Sequence, residues 1–329
     1  MMAKIFQWVS LFLQGIHSEE AKIQRRGKMH KLSGDKVIYT FRTEMEPVLT
    51  MKPGEEVLVE TNDCFYQQIQ SEDQVMMEID FDQINPATGP IYVEGAEPGD
   101  LLKVEILEIK VADKGVSGVV PGEGILGDKT KKPIVRIIPI QDGHAHFKGL
   151  KLPIKPMIGV IGVAPSKDDG DCPTETPWKH GGNMDTTDIA QGSTVYFPVN
   201  QKGALLALGD CHAIMGDGEI CFTGLEVPAR VRLRVDVIKD KKVNWPLIGT
   251  KDSTMVVASG DDVDRAIYNA TDETVDLLSR ALRMDFEEAY LLTSIGVHIR
   301  ISQVVDPRKT IRSEIPHSII TTEKLLENI

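Results

Sequence analysis

From Lys36 onward the pattern is strand-like, and in several stretches apolar and polar positions alternate with period two, the spacing of strands with one buried face. Glu56-Val57-Leu58-Val59-Glu60-Thr61 follows the turn signal Pro53-Gly54, and Leu101-Leu102-Lys103-Val104-Glu105-Ile106-Leu107-Glu108-Ile109 follows Gly99-Asp100. Over 229–237, Val231, Leu233, Val235 and Val237 fall on one side, with Arg232, Arg234 and Asp236 on the other. Val37-Ile38-Tyr39-Thr40-Phe41 and the stretch 192–199 are also strand-like, and 150–165 is apolar and punctuated by proline. Strands with turn signals at short intervals predict a sandwich or barrel. The period then changes. Ala266, Ile267, Ala270, Leu277, Leu278, Ala281 and Leu282 recur near helical spacing behind Asp261-Asp262, a helix start whose carboxylates suit the helix dipole. A second helix is expected from Asp285, and 295–305 returns to strand.

The pattern also predicts segments without regular structure. Residues 113–133 are rich in Gly, Pro and Lys and read as a long loop, and 166–182 as a polar loop carrying Trp178 and His180. Gly122-Glu123-Gly124-Ile125-Leu126-Gly127 has GxGxxG spacing, but Asp128-Lys129-Thr130-Lys131-Lys132-Pro133 makes no phosphate-facing helix, so its glycines are assigned to turns. Residues 5–16 are apolar but too short to span a bilayer, and only Lys4 flanks them. Met29-His30-Lys31-Leu32 reads as a natural start, leaving 1–28 as an upstream extension or poorly ordered arm. Three parts follow: β-rich 29–170, a central β part over 171–250, and an α+β part over 251–329.

Composition adds exclusions. With 41% hydrophobic and 26% charged residues the 329-residue chain is ordinary for a globular protein, and a formal net charge of -12 disfavours nucleic acid and anionic membranes as partners. The four cysteines, Cys64, Cys172, Cys211 and Cys221, are too few for a disulfide scaffold and lack Cys-x-x-Cys spacing, which points to a reducing, cytoplasmic setting.

The densest chemistry lies in Gly209-Asp210-Cys211-His212-Ala213-Ile214-Met215-Gly216-Asp217-Gly218-Glu219. An apolar run over 203–208 precedes it, so a buried strand would end with Asp210 and His212 on one face and Cys211 on the other. A carboxylate beside an imidazole suits a hydrolytic metal site. The rival reading is a hydrogen-bonded turn at a strand end. His144-Ala145-His146 also has chelating spacing, but it follows Gln141-Asp142-Gly143 and is assigned to an exposed hairpin.

At the Asp-Cys-His and Gly-Asp-Gly-Glu residues the chain resembles the acetamidase/formamidase family. Thr61-Asn62-Asp63-Cys64-Phe65, Asn85-Pro86-Ala87-Thr88-Gly89-Pro90, Glu94-Gly95-Ala96-Glu97-Pro98-Gly99-Asp100, Gly181-Gly182-Asn183-Met184-Asp185, 285–292 and Ile301-Ser302-Gln303-Val304-Val305-Asp306 carry the likeness further, over about 31–316. His298 and the N-terminal extension depart from it. The resemblance implies a mostly β fold, with a jelly-roll-like β-sandwich, a smaller β-barrel-like part and an α+β C-terminal element. It implies hydrolysis of short aliphatic amides such as formamide or acetamide with release of ammonia, and a divalent metal, zinc first and calcium second. The chain is expected to act on a small amide substrate as a homodimer or higher homo-oligomer.

An amide carbonyl is a poor electrophile, so its hydrolysis needs polarisation, a strong nucleophile and a proton for the leaving nitrogen. Motif placement assigns Asp63, Asp185, Asp210 and His212 as metal ligands and Glu219 as general base and acid. Asp217 is assigned as a second ligand or orienting residue, and Asn183 as a donor to the developing oxyanion. Two alternatives stand beside this assignment: a cysteine amidase using Cys211, and a non-catalytic β-sandwich ligand-binding module.

Overall fold

The computed structural model describes residues 29–74 and 78–329; the N-terminal extension expected over 1–28 lies outside the described residues. The fold is mostly β. One sheet runs, in spatial order, Met29–Leu32, Glu56–Thr61, Ala229–Ile238, Leu101–Val111, Thr194–Pro198, Leu247–Gly249, Ser253–Gly260, Lys309–Pro316 and His298–Gln303. A second runs Gly181–Asn183, Met157–Gly162, Leu206–His212, Ala87–Val93 and Val37–Ile38, with Leu49–Met51 also paired to Ala87–Val93. A single buried cluster joins Val57, Val59, Ile106, Val231 and Leu233 of the first to Ile91, Ile158, Ile161, Leu206 and Leu208 of the second. The two sheets are thus layers of one sandwich, each large aliphatic side chain contributing about 1.5–3 kcal/mol by its burial. The larger sheet takes strands from 29–170, 171–250 and 251–329 alike.

The alternation read in 229–237 holds. Val231, Leu233 and Val235 are buried, while Arg232 and Arg234 lie on the outer face and meet Glu56, Arg234 also reaching Glu105. The two helices expected from the sequence start at the acidic caps read there, and a third, Thr322–Asn328, follows behind Thr321. The Asp262 carboxylate accepts from the Arg265 amide at the head of Val263–Leu282, and Asp285 accepts from Glu288 at the head of Phe286–Gly296. The first packs Ala266, Ala270, Leu277 and Leu278 against Val256, Ala258, Ile311 and Ile315 of the larger sheet.

The stretch 113–133 is not loop throughout. Lys114–Val119 is a strand, paired with Ile134–Gln141 in a four-stranded sheet completed by the hairpin His144–Phe147 and Leu150–Pro153. Within this strand, Gly115 serves close packing. A Cβ there would lie 2.7 Å from the Glu226 carbonyl oxygen, beside the mutual Val116–Glu226 backbone hydrogen bonds of 2.8 Å. This contact fixes the backbone of Glu226.

Candidate active site

The strand Leu206–His212 carries two polar groups out of the core at its end. It pairs antiparallel with Met157–Gly162, setting His212 opposite Met157 and Cys211 opposite Ile158. Asp210 has a left-handed backbone, φ 50°, so it and His212 reach one site through a break in the regular pleat, while Cys211 packs into the sandwich core. On the other side the chain returns through 225–227. Ala213 N–H donates to the Leu225 carbonyl and Val227 N–H to the Cys211 carbonyl, which places Glu226 opposite His212.

The His212 imidazole lies among four carboxylates. Nε2 is 3.1 Å from Glu226 Oε2 and 3.5 Å from both Asp185 Oδ1 and Asp210 Oδ1, and Nδ1 is 4.0 Å from Glu219 Oε1. All five side chains are buried. Asp185 (φ 36°) and Glu219 (φ 46°) share the left-handed backbone of Asp210. Such a conformation is strained for a residue bearing a Cβ, by about 1–3 kcal/mol each, and persists only where the surroundings enforce it.

Two glycines make room for the cluster. A Cβ on Gly159 would collide with the carboxylates of Asp185 and Asp210, and one on Gly224 would lie 2.5 Å from His212 Nδ1 and 2.9 Å from its Cγ. Gly224→Ala is therefore expected to push the imidazole off its carboxylates and lower kcat/KM on the order of 10²-fold, the scale of an ångström-level misplacement. Steady-state kinetics beside a melting curve checks this; unchanged turnover would show that the ring position is not critical.

Burial raises the proton affinity of these carboxylates. It pushes Asp185 up to about 6 and Glu226 up to about 8, the His212 charge partly opposing it in each, and it holds Glu219 and Asp306 well above the ordinary range, helped in both by the Asp185 charge. Burial alone would lower His212, but the Glu226 and Asp210 carboxylates outweigh it and hold the imidazole well above its usual value. Asp185 Oδ1, Asp210 Oδ1, Glu226 Oε2, Asp306 Oδ2 and His212 Nδ1 are buried without a hydrogen-bond partner. Two sets of ligand-type atoms lie within 4.8 Å of one another, Asp185, His212 and Glu219 in one and Cys64, Asp210 and Glu226 in the other. Converging oxygens without donors, with one imidazole among them, fit a divalent cation.

The cluster forms the floor of a cavity of about 250 Å³. Its wall includes Asn183, Glu175 and Asp306, and the apolar side chains Phe65, Ile84, Val120 and Phe222. This lies just below the roughly 300–1,000 Å³ of pockets for drug-sized ligands, and it suits a small molecule.

Of the residues singled out from the sequence, Asp185, Asp210, His212 and Glu219 come together, and Asn183 stands on the same cavity wall. Asp63 takes another position. Its Oδ1 accepts from the Phe65 and Gln67 amides at 3.1 and 2.8 Å, closing the turn that presents Cys64 and Phe65 to the cavity. Asp217 is also outside the group within 4.0 Å of His212: its oxygens accept from Thr187 Oγ1 at 2.8 Å and Arg312 Nη2 at 2.6 Å. Glu226, Asp306 and Cys64 were missed. Asp306 ends a motif quoted for the family likeness. Glu226 sits in Gly224-Leu225-Glu226-Val227, where only the glycine against His212 sets it apart.

His180 packs on Phe41, ring centroids 5.0 Å apart, with neither ring nitrogen hydrogen-bonded. Burial lowers its pKa from 6.5 to about 3. A base depressed on folding contributes stability that is present above about pH 6.5 and lost as pH falls toward 3. His180→Phe is expected to be near neutral at pH 7 and to remove part of the acid destabilisation, up to several kcal/mol by pH 3. Urea unfolding at pH 7 and pH 4 measures both; an unchanged pH slope would rule out His180 as a source.

The Acetamidase/Formamidase family model matches residues 27–171 and 169–322. A protein of Thermoanaerobacter tengcongensis, described as a predicted acetamidase/formamidase, is 46% identical, with a TM-score of 0.87 over 89% of this chain and 97% of its own. An acetamidase of Bacillus halodurans is 42% identical, with a TM-score of 0.86 over 90% and 99%. A formamidase of Methylophilus methylotrophus is 32% identical over 258 residues, 61% of this chain and 63% of its own length. The chain spans between 60% and 65% of the length of the curated relatives it matches. A family match running almost the whole length of the described fold, with solved relatives that superpose over nine-tenths of it, means that this chain belongs to the Acetamidase/Formamidase family.

Proposed function

We propose that the protein hydrolyses short-chain linear amides, of the formamide and acetamide type, to carboxylate and ammonia. The observation that carries this reading is the convergence of buried oxygens of Asp185, Asp210 and Glu226, without hydrogen-bond partners among the described residues, on His212 at the floor of a small cavity. The names of the relatives support the same substrate class. His212, Asp185, Asp210 and Glu226 would hold a divalent cation; the single imidazole among carboxylates favours zinc over calcium. Such an ion supplies carbonyl polarisation and lowers the pKa of water toward neutrality.

The chain's own groups do the rest. Glu219, kept proton-avid by burial, is placed to take a proton as water oxygen bonds to the carbonyl carbon and to deliver it to nitrogen as the C–N bond breaks. Asn183, on the cavity wall, would donate to the oxygen that gains charge. Phe65, Ile84, Val120 and Phe222 exclude bulk water and strengthen these interactions. Asp63 and Asp217 are assigned supporting rather than ligating roles. The compartment we propose is the cytoplasm, in keeping with four free cysteines, and the assembly a homo-oligomer, which would cover the exposed Phe286, Tyr290, Leu291 and Ile295; sedimentation would measure its size. Among the described residues no helix is long and apolar enough to cross a membrane.

A cysteine route predicts the opposite inhibitor profile. Burial pushes the Cys211 thiol up to about 12 and the Cys64 thiol well above its usual value, so neither is a ready thiolate. In a Cys221→Ser background, which removes the exposed thiol, ammonia release from formamide is expected to survive iodoacetamide and to be lost to a chelator. The reverse pattern would replace the cation with a thiol nucleophile.

A further inference from the structure

Arg312 is a buried cation on the strand Lys309–Pro316, outside the cavity wall, and its guanidinium is shared among three segments. Nε is 2.8 Å from Asp188 Oδ2, an ion pair without hydrogen-bond alignment, and Nη2 donates to Asp217 Oδ2 at 2.6 Å. Nη1 donates to the Ile301 carbonyl at 2.7 Å and lies 3.3 Å from Ser302 Oγ. The same segments also bind one another. Thr187 Oγ1 donates to Asp217 Oδ1 at 2.8 Å, Thr186 Oγ1 to Ser302 Oγ at 2.9 Å, Gly218 N–H to the Ser302 carbonyl at 2.8 Å, and Val304 N–H to the Gly218 carbonyl at 3.1 Å. Each segment leads within a few residues to an acidic side chain of the cavity: Asp188 follows Asp185, Asp217 precedes Glu219, and Ile301–Ser302 precedes Asp306. Asp185 and Glu219 hold left-handed backbones, which a local clamp would enforce.

We propose that Arg312 is a positioning residue for the amide-hydrolysing site, and that Asp217 acts through it. The planar fork registers the segments bearing Asp185, Glu219 and Asp306 against one another, so that the Asp185 and Glu219 carboxylates meet at His212 and Asp306 stands on the wall of the same cavity. A lysine cannot reproduce this, because a point charge cannot serve three segments at fixed angles. The inference rests on the proposed cation-assisted hydrolysis for its consequence in turnover, but the clamp itself is a statement about the chain.

The test uses Asp217→Asn and Arg312→Lys in the full chain, with Arg234→Met, which breaks pairs on the outer face of the same sheet, as a control for stability. Asp217 is 43% exposed, so its variant is expected to fold. Three quantities are read: amide hydrogen exchange, zinc affinity of the metal-free protein against a chromophoric chelator, and kcat and KM for formamide. Both variants are expected to lose about 10–100-fold in zinc affinity and in kcat, the usual effect of removing a group that orients a ligand, with KM moving far less. Exchange is expected to rise together in 185–189, 216–219 and 301–306. Faster exchange confined to 216–219, or zinc affinity and kcat equal to those of Arg234→Met, would overturn the clamp. Should the wild-type chain show neither zinc binding nor ammonia release, the proposed function fails, and exchange over the three segments still decides the clamp.

Discussion

His212→Ala is expected to abolish cation binding and to lower kcat/KM for formamide by roughly 10³-fold or more, because a bound cation contributes several kcal/mol of charge stabilisation and each ~1.4 kcal/mol is tenfold in rate. The imidazole is the sole ring nitrogen source of the group among the described residues and stands within 4.0 Å of four carboxylates. Removing it leaves Asp185, Asp210, Glu219 and Glu226 facing one another across a void. With neither imidazolium nor cation beside them, Asp185, Glu219 and Glu226 retain protons, and protonated carboxyls are poor ligands. The loss should therefore appear first in metal content and only through it in turnover. Elemental analysis of the folded variant, with circular dichroism to confirm the fold, checks the order. A variant that keeps its metal but not its activity would make His212 a proton carrier instead.

Glu219→Gln is expected to separate the other way. The amide is nearly isosteric, and Glu219 meets His212 only at 4.0 Å, so metal should be largely retained while kcat falls by about 10²–10⁴-fold, the range for a lost general acid–base group. Burial and the Asp185 charge hold its proton affinity high, which suits a group that must receive a proton and then give it up. Turnover within a few-fold of wild type would pass the role to Glu226, which lies closer to the imidazole at 3.1 Å and is raised to about 8.

These two variants touch residues that the sequence exposes well. His212 and Glu219 lie in one glycine-broken segment behind an apolar run, and the period-two pattern that predicts the strand also predicts where it ends. The sandwich was legible for the same reason, since alternation such as that of 229–237 is a direct imprint of one buried face. Two kinds of information were hidden. Lys114–Val119 looked like loop because its Gly115 serves tight packing against the Glu226 backbone, a tertiary cause that no local pattern records. Glu226 and Asp306 looked ordinary because a buried carboxylate is distinguished by its neighbours across the fold and not by its neighbours in the chain.

The same limit explains Asp63 and Asp217. Acidic residues beside turns were natural candidates for cation ligands, and side-chain type cannot tell a ligand from a turn cap. The Asp63 carboxylate is satisfied by two backbone amides, and that of Asp217 by a hydroxyl and a guanidinium. Asp185, Asp210 and Glu226 keep oxygens that form no hydrogen bond among the described residues.

Metal stoichiometry of the purified wild-type chain, followed through chelation and readdition of zinc with ammonia release from formamide recorded at each stage, tests the central claim most directly. The account predicts bound divalent metal in stoichiometric amount, activity lost with it, and activity restored with it. A metal-free chain that releases ammonia at an undiminished rate would contradict it.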